Sequence, residues 1–397
     1  MRLALVSREF PPTRQAGGIA TNTDKTARAL AEAGHDVHVF TEAHRGAPTD
    51  ELRSDVTVHR LADPRMRPRE ASVVRRAFDV AGALRRLGPF DIVQACEWEA
   101  EGAVYARFPR SPLVTRLATP HYVVEALNNT SAADRRRSAV VRALERWQTR
   151  LSTAIISPSR SLADLVARDW GLDPQRIQVV PTGIELPLSG ADGPLPAGVG
   201  TDPFVLYFGR LEVRKGVQTW IEALPQVLRR NPGLDAVFAG DDLLIGGEPF
   251  SEYGLRRAGD LGTRLRFLPR LPQSSLFPLI RAARLVVLPS RWESLANACL
   301  EAMALGRAIV ATRGSGFAEV VEQGVTGWLV PPDAADALAD AVNEALSDPA
   351  RLRAVGDAAL RRTQHFRLEL MVDRLLETYR SVLPAGTARV ASETSAL

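Results

Sequence analysis

Cysteine is scarce in this chain, which has two cysteines among 397 residues. Cys96 and Cys299 lie in unrelated parts of the sequence, and neither stands in the spacing of a metal site or a redox motif. The pattern therefore indicates two buried free thiols.

Long apolar runs are also missing. No stretch approaches the roughly 20 apolar residues that a membrane-spanning helix requires. The N-terminal sequence MRLALVSREF is too short in apolar residues for a secretory signal, which needs a run of at least ~7. The composition, with 45% hydrophobic and 24% charged residues, is that of a globular enzyme. We therefore expect a cytoplasmic protein.

The chain has little excess charge of either sign, with a formal net charge of +4. Its basic residues cluster at 65–76, 135–137 and 361–362, mostly in helix-like stretches. Such clusters are typical of solvated helix faces; attraction of anions is the second interpretation, and nucleic-acid binding is the least favoured.

Two phosphate-binding motifs are absent. No Gly-x-Gly-x-x-Gly follows the first apolar run, which argues against a dinucleotide-dependent oxidoreductase. No glycine-lysine-serine/threonine sequence is found either, so the chain has no Walker loop.

The chain does contain a regular alternation of short apolar runs and amphipathic segments. The runs at 2–7, 36–42 and 56–61 begin the pattern, and it restarts at 204–209. This alternation predicts an α/β fold of mostly parallel sheets with helices on both faces. A chain of this length is too long for one ordinary core, which favours two domains.

Residues 187–203 are rich in proline and glycine and show no periodicity, so they are the best candidate linker. We predict two doubly wound, Rossmann-like domains, at 1–186 and 204–365, facing a cleft. An amphipathic helix over 366–383 follows, then a disordered tail over 384–397. Ligands of such sheets bind outside the carboxyl ends of the strands.

The segment RWESLANACLE places Glu293 after a predicted strand and Glu301 within a predicted helix, Leu295–Leu305, with Ser294 as its N-cap. Positions eight apart on a helix differ by roughly 80° in direction, so the two carboxylates would not stack. Taken alone, Glu301 favours interpretation as an exposed helix residue. In an otherwise apolar helix, however, it suits hydrogen bonds from vicinal hydroxyls.

The segment FGRLEVRKGV places Arg210 and Lys215 in the turn between a strand and a helix. Two cations near unpaired N–H groups suit a pyrophosphate, although two solvated surface cations would give the same pattern. Gly17 and Gly18 occupy the first strand-to-helix turn, where a phosphate or an acceptor could approach the backbone closely.

Together these segments make the chain resemble the GT-B glycosyltransferases of family 4, which use nucleotide-activated sugars. The landmarks occur in order: the early Gly-Gly loop, GRLEVRKG, the two glutamates eight positions apart, and GSGFAEVVEQGVTGWLVPP. The resemblance spans residues 1 to about 382 and is more specific in the C-terminal half.

The resemblance implies roles for the matching residues. Arg210 and Lys215 would hold the donor diphosphate and stabilise the leaving nucleotide. Glu301 would bind the ribose hydroxyls, and Glu293 the hydroxyls of the transferred sugar. The backbone of the segment Ser294, Leu295 and Ala296 would meet the sugar or the phosphate.

Four further positions take roles from the same resemblance. His121 stands in the place of the active-site histidine at a strand tip, although a single histidine is more often structural. Gly18 would contribute a backbone N–H near the phosphate. Arg270 and Leu271 match the segment that contacts the base.

The stretch ACEWEAEG adds Glu97, Trp98 and Glu99 after a strand, and Glu125 follows His121 by four positions. Solvated loop charge is one interpretation. The other is an acidic acceptor pocket for an amino sugar or aminocyclitol, with Trp98 stacking on the ring. The arginine-rich helix over 134–151 favours anionic or membrane-bound acceptors instead, so peripheral membrane association stays open.

No two aspartates are two positions apart, so the Asp-x-Asp metal site of the other major transferase fold is missing. We therefore expect no metal cofactor. The resemblance implies a retaining hexosyl transfer, with UDP the favoured carrier, in a monomer or homodimer. The alternatives are a sugar-nucleotide epimerase or phosphorylase on the same fold, or a protein that only binds the donor.

One departure concerns sugar preference. Family members often have Glu-Gly-Phe-Gly where this chain has Glu293-Ser294-Leu295-Ala296. Leu295 thus replaces an aromatic residue, and the Ala296 methyl narrows the space near the sugar.

Overall fold

The computed structural model of the chain describes residues 1–11, 17–44, 48–62, 69–128, 131–200, 202–295 and 297–384. They divide into two units. The first consists of Met1–Glu125, Thr130–Gly183 and the segment that begins at Leu368; the second consists of Ala126–Asn129 and Ile184–Arg367. Most of the predicted tail, residues 385–397, lies outside the described residues.

The first unit is built on one sheet, with β3 paired antiparallel to β4 and all other neighbours parallel. Its strand order is β3-β4-β2-β1-β5-β6-β7-β8. The strands are β1 (Arg2–Val6), β2 (Asp36–Glu42), β3 (Asp50–Arg53), β4 (Val56–Leu61), β5 (Ile92–Cys96), β6 (Leu113–Arg116), β7 (Ala154–Ser157) and β8 (Ile177–Val179).

Helices connect these strands, as parallel pairing requires. They are α1 (Gly18–Glu32), α2 (Arg69–Leu87), α3 (Ala103–Arg107), α4 (His121–Leu127), α5 (Ala132–Arg137), α6 (Ala139–Leu151) and α7 (Arg160–Trp170). Helix α4 starts in the first unit, and its last residues belong to the second.

The second unit repeats the plan with a wholly parallel sheet of order β13-β10-β9-β14-β15-β16. Its strands are β9 (Phe204–Phe208), β10 (Asp235–Ala239), β13 (Leu265–Leu268), β14 (Leu285–Leu288), β15 (Ile309–Thr312) and β16 (Trp328–Val330), and a small hairpin is formed by β11 (Leu244–Ile245) and β12 (Glu248–Pro249). Its helices are α8 (Val217–Arg230), α9 (Phe250–Ala258), α10 (Gln273–Ala282), α11 (Asn297–Ala304), α12 (Phe317–Val320), α13 (Ala335–Ser347) and α14 (Pro349–Arg362).

Both sheets are apolar on both faces, because alternate residues of each central strand pack into different hydrophobic clusters. In β1, Leu3 and Leu5 pack in one cluster, and the next residues along the strand pack in another. In β9, Val205 and Tyr207 face one cluster, and Leu206 faces the opposite one. This explains why the strands read as continuous apolar runs.

The last helix, α15 (Leu368–Val382), belongs to the first unit. Its apolar residues recur every three or four positions and pack with β1 and α1. The hydroxyl of Tyr379 donates a buried hydrogen bond of 2.9 Å to Oε1 of Gln94 on β5. In the described part of the chain, no helix combines the length and apolarity needed to cross a membrane.

One predicted helix of the first unit differs from the observed structure. The helix predicted over 134–151 is two helices, α5 and α6, separated at Ser138. The Ser138 hydroxyl donates to the carbonyl of Asp134 at 3.0 Å, a local bond that competes with helix continuation.

The strand order reverses direction at one place in each sheet. In the first unit the reversal lies between β1 and β5, and in the second between β9 and β14. Crevices at such topological switch points, outside the carboxyl ends of the strands, are where doubly wound sheets bind ligands. The candidate residues that follow β5, β9 and β14 therefore stand at the expected places.

The turn after β9 is held close to the end of β14. Gly216, at φ +66°, directly precedes α8 and lies against the Pro289 backbone, where an added Cβ would overlap the carbonyl oxygen. A side chain at this position would meet both an unfavourable backbone conformation and a steric clash. Glycine thus sets how closely the two strand tips approach.

We expect Gly216→Ala to lower the free energy of unfolding substantially. Left-handed backbone strain costs about 1–2 kcal/mol, and overpacking adds typically about 1–3 kcal/mol. Gly306→Ala is the matched control in the same unit, because Gly306 has φ +69° with no atom within 4 Å of an added Cβ. Calorimetric melting of both variants checks this; equal losses would contradict the close approach.

Candidate functional site

The cationic turn after β9 is anchored by backbone contacts. Leu211 N donates to the Asp241 carbonyl at 2.9 Å, and the Tyr207 hydroxyl donates to the Arg210 carbonyl at 2.7 Å. A short 3-10 helix, Val213–Lys215, then leads into α8. The turn places the predicted cations Arg210 and Lys215 at the switch point of the second sheet.

Lys215 and Glu293 form an ion pair between Nζ and Oε1. Glu293 is 6% exposed and lies in the loop after β14. Burial opposes ionisation of this carboxyl, but Lys215 and Arg214 overcome it and hold the Glu293 pKa below its usual range. Burial also lowers the pKa of the Lys215 ammonium, against the opposing effect of Glu293. Lys215 is one of two lysines in the chain.

Sequence reasoning missed two members of this site, Glu212 and Arg214. Arg214 is buried; its Nη2 contacts Glu212 Oε1 at 2.8 Å, and its Nη1 lies 3.7 Å from Glu293 Oε1. Arg210 Nη2 lies 3.2 Å from the same Glu212 oxygen. The five residues form a chain of alternating charge, which we call the charge chain: Arg210, Glu212, Arg214, Glu293 and Lys215. The alternating signs within RLEVRK were the available signal.

Glu301 is 9% exposed on α11, among buried apolar residues, so the interpretation as an exposed helix residue is wrong. The same segment departs from prediction at its start. Leu295 precedes the helix, so Ser294 is not its N-cap, and Ala296 lies outside the described residues. The Glu293 carbonyl accepts a 2.9 Å hydrogen bond from Gly316 N, which fixes the loop before the helix.

Arg270 and Leu271 follow β13 and are placed differently from each other. Arg270 is half-exposed, with Nη1 3.9 Å from Asp241 Oδ2. Asp241 is the residue whose carbonyl accepts from the cationic turn, so Arg270 lies beside that turn. Leu271 is partly buried against the core.

The glycine turn of the first unit is partly occupied by the protein itself. Gly17 N donates to Glu9 Oε2 at 3.1 Å, directly before Gly18 begins α1. A carboxylate therefore already accepts one N–H at this helix start, where an anion was expected. Residues 12–16 of the preceding loop lie outside the described residues.

The acidic residues after β5 are buried, so the expectation of solvated loop charge is wrong. Glu97 is fully buried, and Glu99 and Glu101 are each 3% exposed. Arginines from other elements neutralise the last two: Arg8 pairs with Glu99, and Arg76 pairs with Glu101. Sequence gave no sign of these pairings, because the partners are 91 and 25 positions away.

Glu97 and Glu125 also face inward. Burial raises the pKa of Glu97 to about 7, although its Oε2 accepts a 2.7 Å hydrogen bond from Ala118 N. Glu125 Oε2 contacts Arg142 Nη1 at 2.8 Å. The four glutamates of this region are thus engaged within the fold.

His121 and Trp98 remain partly exposed and lie together, with ring centroids 4.8 Å apart. His121 is the first residue of α4, and its Nε2 lies 3.6 Å from Glu125 Oε1. Its backbone N donates at 2.9 Å to Oε2 of Glu145, a buried residue that sequence reasoning missed. Burial raises the Glu145 pKa well above its usual value.

We found no group of three or more His, Cys, Asp or Glu side chains arranged to hold a metal ion within the described ranges.

Two family models match the chain in sequence order. The model described as glycosyltransferase family 4 matches residues 16–187, and the model described as glycosyl transferases group 1 matches residues 197–362. The first match includes Trp98 and His121, and the second includes the whole charge chain.

Curated relatives match over nearly the whole length. A D-inositol 3-phosphate glycosyltransferase from Catenulispora acidiphila is 31% identical over 415 residues, covering 98% of this chain and 97% of that protein. Glycogen synthase from Mycobacterium tuberculosis is 31% identical over 392 residues, covering 91% of this chain and 90% of that protein.

Solved structures show the same fold. Sucrose-phosphate synthase from Thermosynechococcus elongatus has a TM-score of 0.81 at 24% identity, with 96% of this chain and 98% of that chain covered. Anabaena HepE, in complex with UDP and glucose, has a TM-score of 0.74 at 21% identity, with 96% and 100% covered.

The predicted α/β fold of two parallel-sheet units is confirmed, as is the predicted family. The family assignment rests on relatives 31% identical along almost all of both chains, and the fold on the structural neighbours. The chain is a glycosyltransferase and belongs to the GT-B glycosyl transferases group 1, family 4.

Proposed function

We propose that this glycosyltransferase moves a hexosyl group from a UDP-sugar to a hydroxyl of a small-molecule or glycan acceptor, with retention of anomeric configuration. The observation that carries the proposal is the Lys215–Glu293 ion pair at the switch point of the second sheet. The pair places a cation that can bind a phosphate beside a carboxylate that can bind sugar hydroxyls.

The donor diphosphate takes its charge partners from the two ends of the charge chain. Arg210 is half-exposed, and the Lys215 side chain is 21% exposed, whereas the Arg214 side chain between them is 6% exposed. A guanidinium and an ammonium are the side chains that best bind phosphate oxygens. Their charges can also stabilise the leaving diphosphate.

The two carboxylates then bind the remaining parts of the donor. Glu293 is held ionised by its cationic neighbours, so it can accept hydrogen bonds from hydroxyls of the transferred sugar. Glu301, buried on α11, binds the ribose hydroxyls in the same manner. We choose UDP because a neighbour of the same fold, Anabaena HepE, has been solved with UDP and glucose.

The proposed reaction occurs on one face of the sugar. The acceptor hydroxyl oxygen forms a bond to the anomeric carbon as the bond from that carbon to the diphosphate oxygen breaks. The hydroxyl proton passes to the departing phosphate oxygen. Catalysis then rests on orientation and on stabilisation of the developing negative charge, with no metal cofactor in the proposal.

The structure changes the expected acceptor chemistry. Glu99 and Glu125 are neutralised by Arg8 and Arg142, so they offer no free charge to an amino group. His121 and Trp98 keep exposed surface and are the candidates for acceptor contact. Because relatives include D-inositol 3-phosphate glycosyltransferases, we propose a cyclitol or sugar hydroxyl as the acceptor. Cytoplasmic location and oligomeric state stay predictions.

Donor binding can be tested by thermal shift of the purified protein. The ligands are UDP, GDP, TDP and ADP, each with and without EDTA. A ligand at 100 times its Kd stabilises the native state by about 2.7 kcal/mol. We expect a rise with UDP that EDTA leaves unchanged. A rise abolished by EDTA would contradict metal-independent binding, and no rise with any nucleotide would overturn the donor site.

A transfer assay separates this function from its relatives on the same fold. With UDP-glucose and D-inositol 3-phosphate, we expect UDP release and a product whose anomeric proton coupling matches the donor. Conversion of the donor without acceptor would favour an epimerase, and binding without turnover of any acceptor would favour a binding protein.

Glu301→Ala and Lys215→Met should fail in different ways. Loss of the Glu301 hydrogen bonds should weaken UDP binding about 10- to 150-fold, since such bonds to charged groups are worth about 1.5–3 kcal/mol. Loss of the Lys215 charge should lower kcat about 100-fold, because it stabilises the leaving group. Calorimetry and UDP-release rates measure the two effects.

Arg229→Ala, at the far end of α8, is the control and should change neither quantity. Full activity in both site variants would refute the assignment.

Arg214→Met should be destabilising as well as inactivating. Removing this buried guanidinium leaves Glu212 and Glu293 without a shared cation, and breaking a buried ion pair costs about 3–5 kcal/mol. We expect a lower melting temperature and at least about 10-fold slower UDP release. Arg214→Lys should recover part of both. A variant with unchanged melting and rate would show that the charge chain is dispensable.

A further inference from the structure

Glu145, on α6, joins two segments of the first unit through backbone hydrogen bonds. Its Oε1 accepts from Glu99 N at 3.1 Å, and its Oε2 accepts from His121 N at 2.9 Å. The side chain is fully buried, so each oxygen is committed to one of these N–H groups rather than to solvent. One carboxyl group therefore fixes the loop after β5 relative to the start of α4.

The loop that it holds has an unfavourable backbone. Glu99 and Ala100 both have positive φ, +58° and +49°. Such residues cost about 1–3 kcal/mol each and persist only where their surroundings fix them. The N–H of His121 lies in the first turn of α4, where backbone donors have no partner within the helix. By accepting hydrogen bonds from Glu99 N and His121 N, Glu145 stabilises both the loop and the start of α4.

The two segments carry the exposed candidates of this unit. Trp98 directly precedes Glu99, and its ring lies 4.8 Å from the His121 ring, centroid to centroid. A change in the spacing between Glu99 N and His121 N would move these two rings relative to each other. The bridge from Glu145 is therefore a determinant of how both rings are presented.

Gln148, one turn later on α6, provides an internal comparison. It is also fully buried, its Oε1 accepts from Gly102 N at 2.8 Å, and its Nε2 donates to the Cys96 carbonyl at 2.9 Å. Gln148 thus fixes the same loop after β5, but it has no bond to the His121 backbone. Both residues are buried on α6 and bond to the loop after β5, whereas Glu145 also bonds to α4.

We propose that Glu145 is a positioning residue of this transferase, which sets the His121 ring against Trp98 by bridging the backbone of Glu99 and His121. The effect of Glu145 on turnover rests on the proposed function, because it requires that His121 contact the acceptor. The positioning itself does not depend on that function and can be measured without any substrate.

The first test is spectroscopic. The chain has six histidines, and labelling their ring carbons gives signals from which His121 is identified by its loss in His121→Gln. The Trp98 ring shifts that signal through its ring current. Glu145→Gln replaces one accepting oxygen by a donor, so one of the two backbone bonds is lost. We expect the His121 signal to move in Glu145→Gln and to stay in place in Gln148→Met.

The second test is kinetic, with UDP release from UDP-glucose in the presence of D-inositol 3-phosphate. We expect Glu145→Gln to lower kcat about 10- to 100-fold, because small displacements of a reacting group cost that much. The Kd for UDP should change less than about twofold, since the charged residues proposed to bind UDP, from Arg210 to Glu301, are in the other unit. Gln148→Met should lower kcat less than about threefold. Glu145→Met provides a second variant if the amide is tolerated.

The outcomes separate this inference from the proposed function. An unmoved His121 signal in both Glu145 variants, or the same loss in Gln148→Met, would overturn the positioning role. If His121→Gln keeps full kcat while the Glu145 variants move the His121 signal, positioning holds and the acceptor contact of His121 in the proposed function fails.

Discussion

The contact between Lys215 and Glu293 is the constraint on which the strand tips of the second unit depend. Charges removed from water are costly unless each meets a partner, so the buried Glu293 requires its cations. That requirement draws the turn after β9 to the loop after β14, and Gly216 permits the approach. The charge chain extends the same pairing outward until it reaches a half-exposed arginine. The alternating order of charges thus extends the effect of the Lys215–Glu293 pair along the whole turn.

The first unit also contains buried carboxyl groups, but their partners are of a different kind. Glu99 and Glu101 after β5 pair with arginines from the loop after β1 and from α2, and Glu145 pairs with backbone N–H groups instead. The carboxylates here support an irregular loop and are not presented outward. Two sheets with related strand orders thus use buried acids differently: one set stands beside a cationic site, and the other shapes the backbone that carries two aromatic rings.

Much of this architecture could be predicted from the sequence, because apolar runs buried on both faces give an unmistakable alternation. Strands such as β2 and β4 have the predicted bounds, and the residues after β9 and β14 were recognised. Burial of individual charges could not be predicted, since it depends on partners distant in sequence; Glu99 with Arg8 is an example. The same limit explains why Arg214 and Glu145 were missed. The false N-cap at Ser294 arose because local propensity ignores the Gly316 contact that fixes that loop.

The scarcity of lysine has a practical consequence. Apart from the N-terminus, an amine-directed reagent finds two side chains in this protein, and Lys25 is 7% exposed on α1. The Lys215 side chain is 21% exposed, and burial lowers the pKa of its ammonium, which increases the fraction present as the reactive amine. The remaining 48 basic residues are arginines that such reagents do not modify. Lys215, in the cationic turn, is therefore the lysine side chain that such a reagent should modify most readily. Binding of a ligand at this turn can then be measured as protection of Lys215 from labelling.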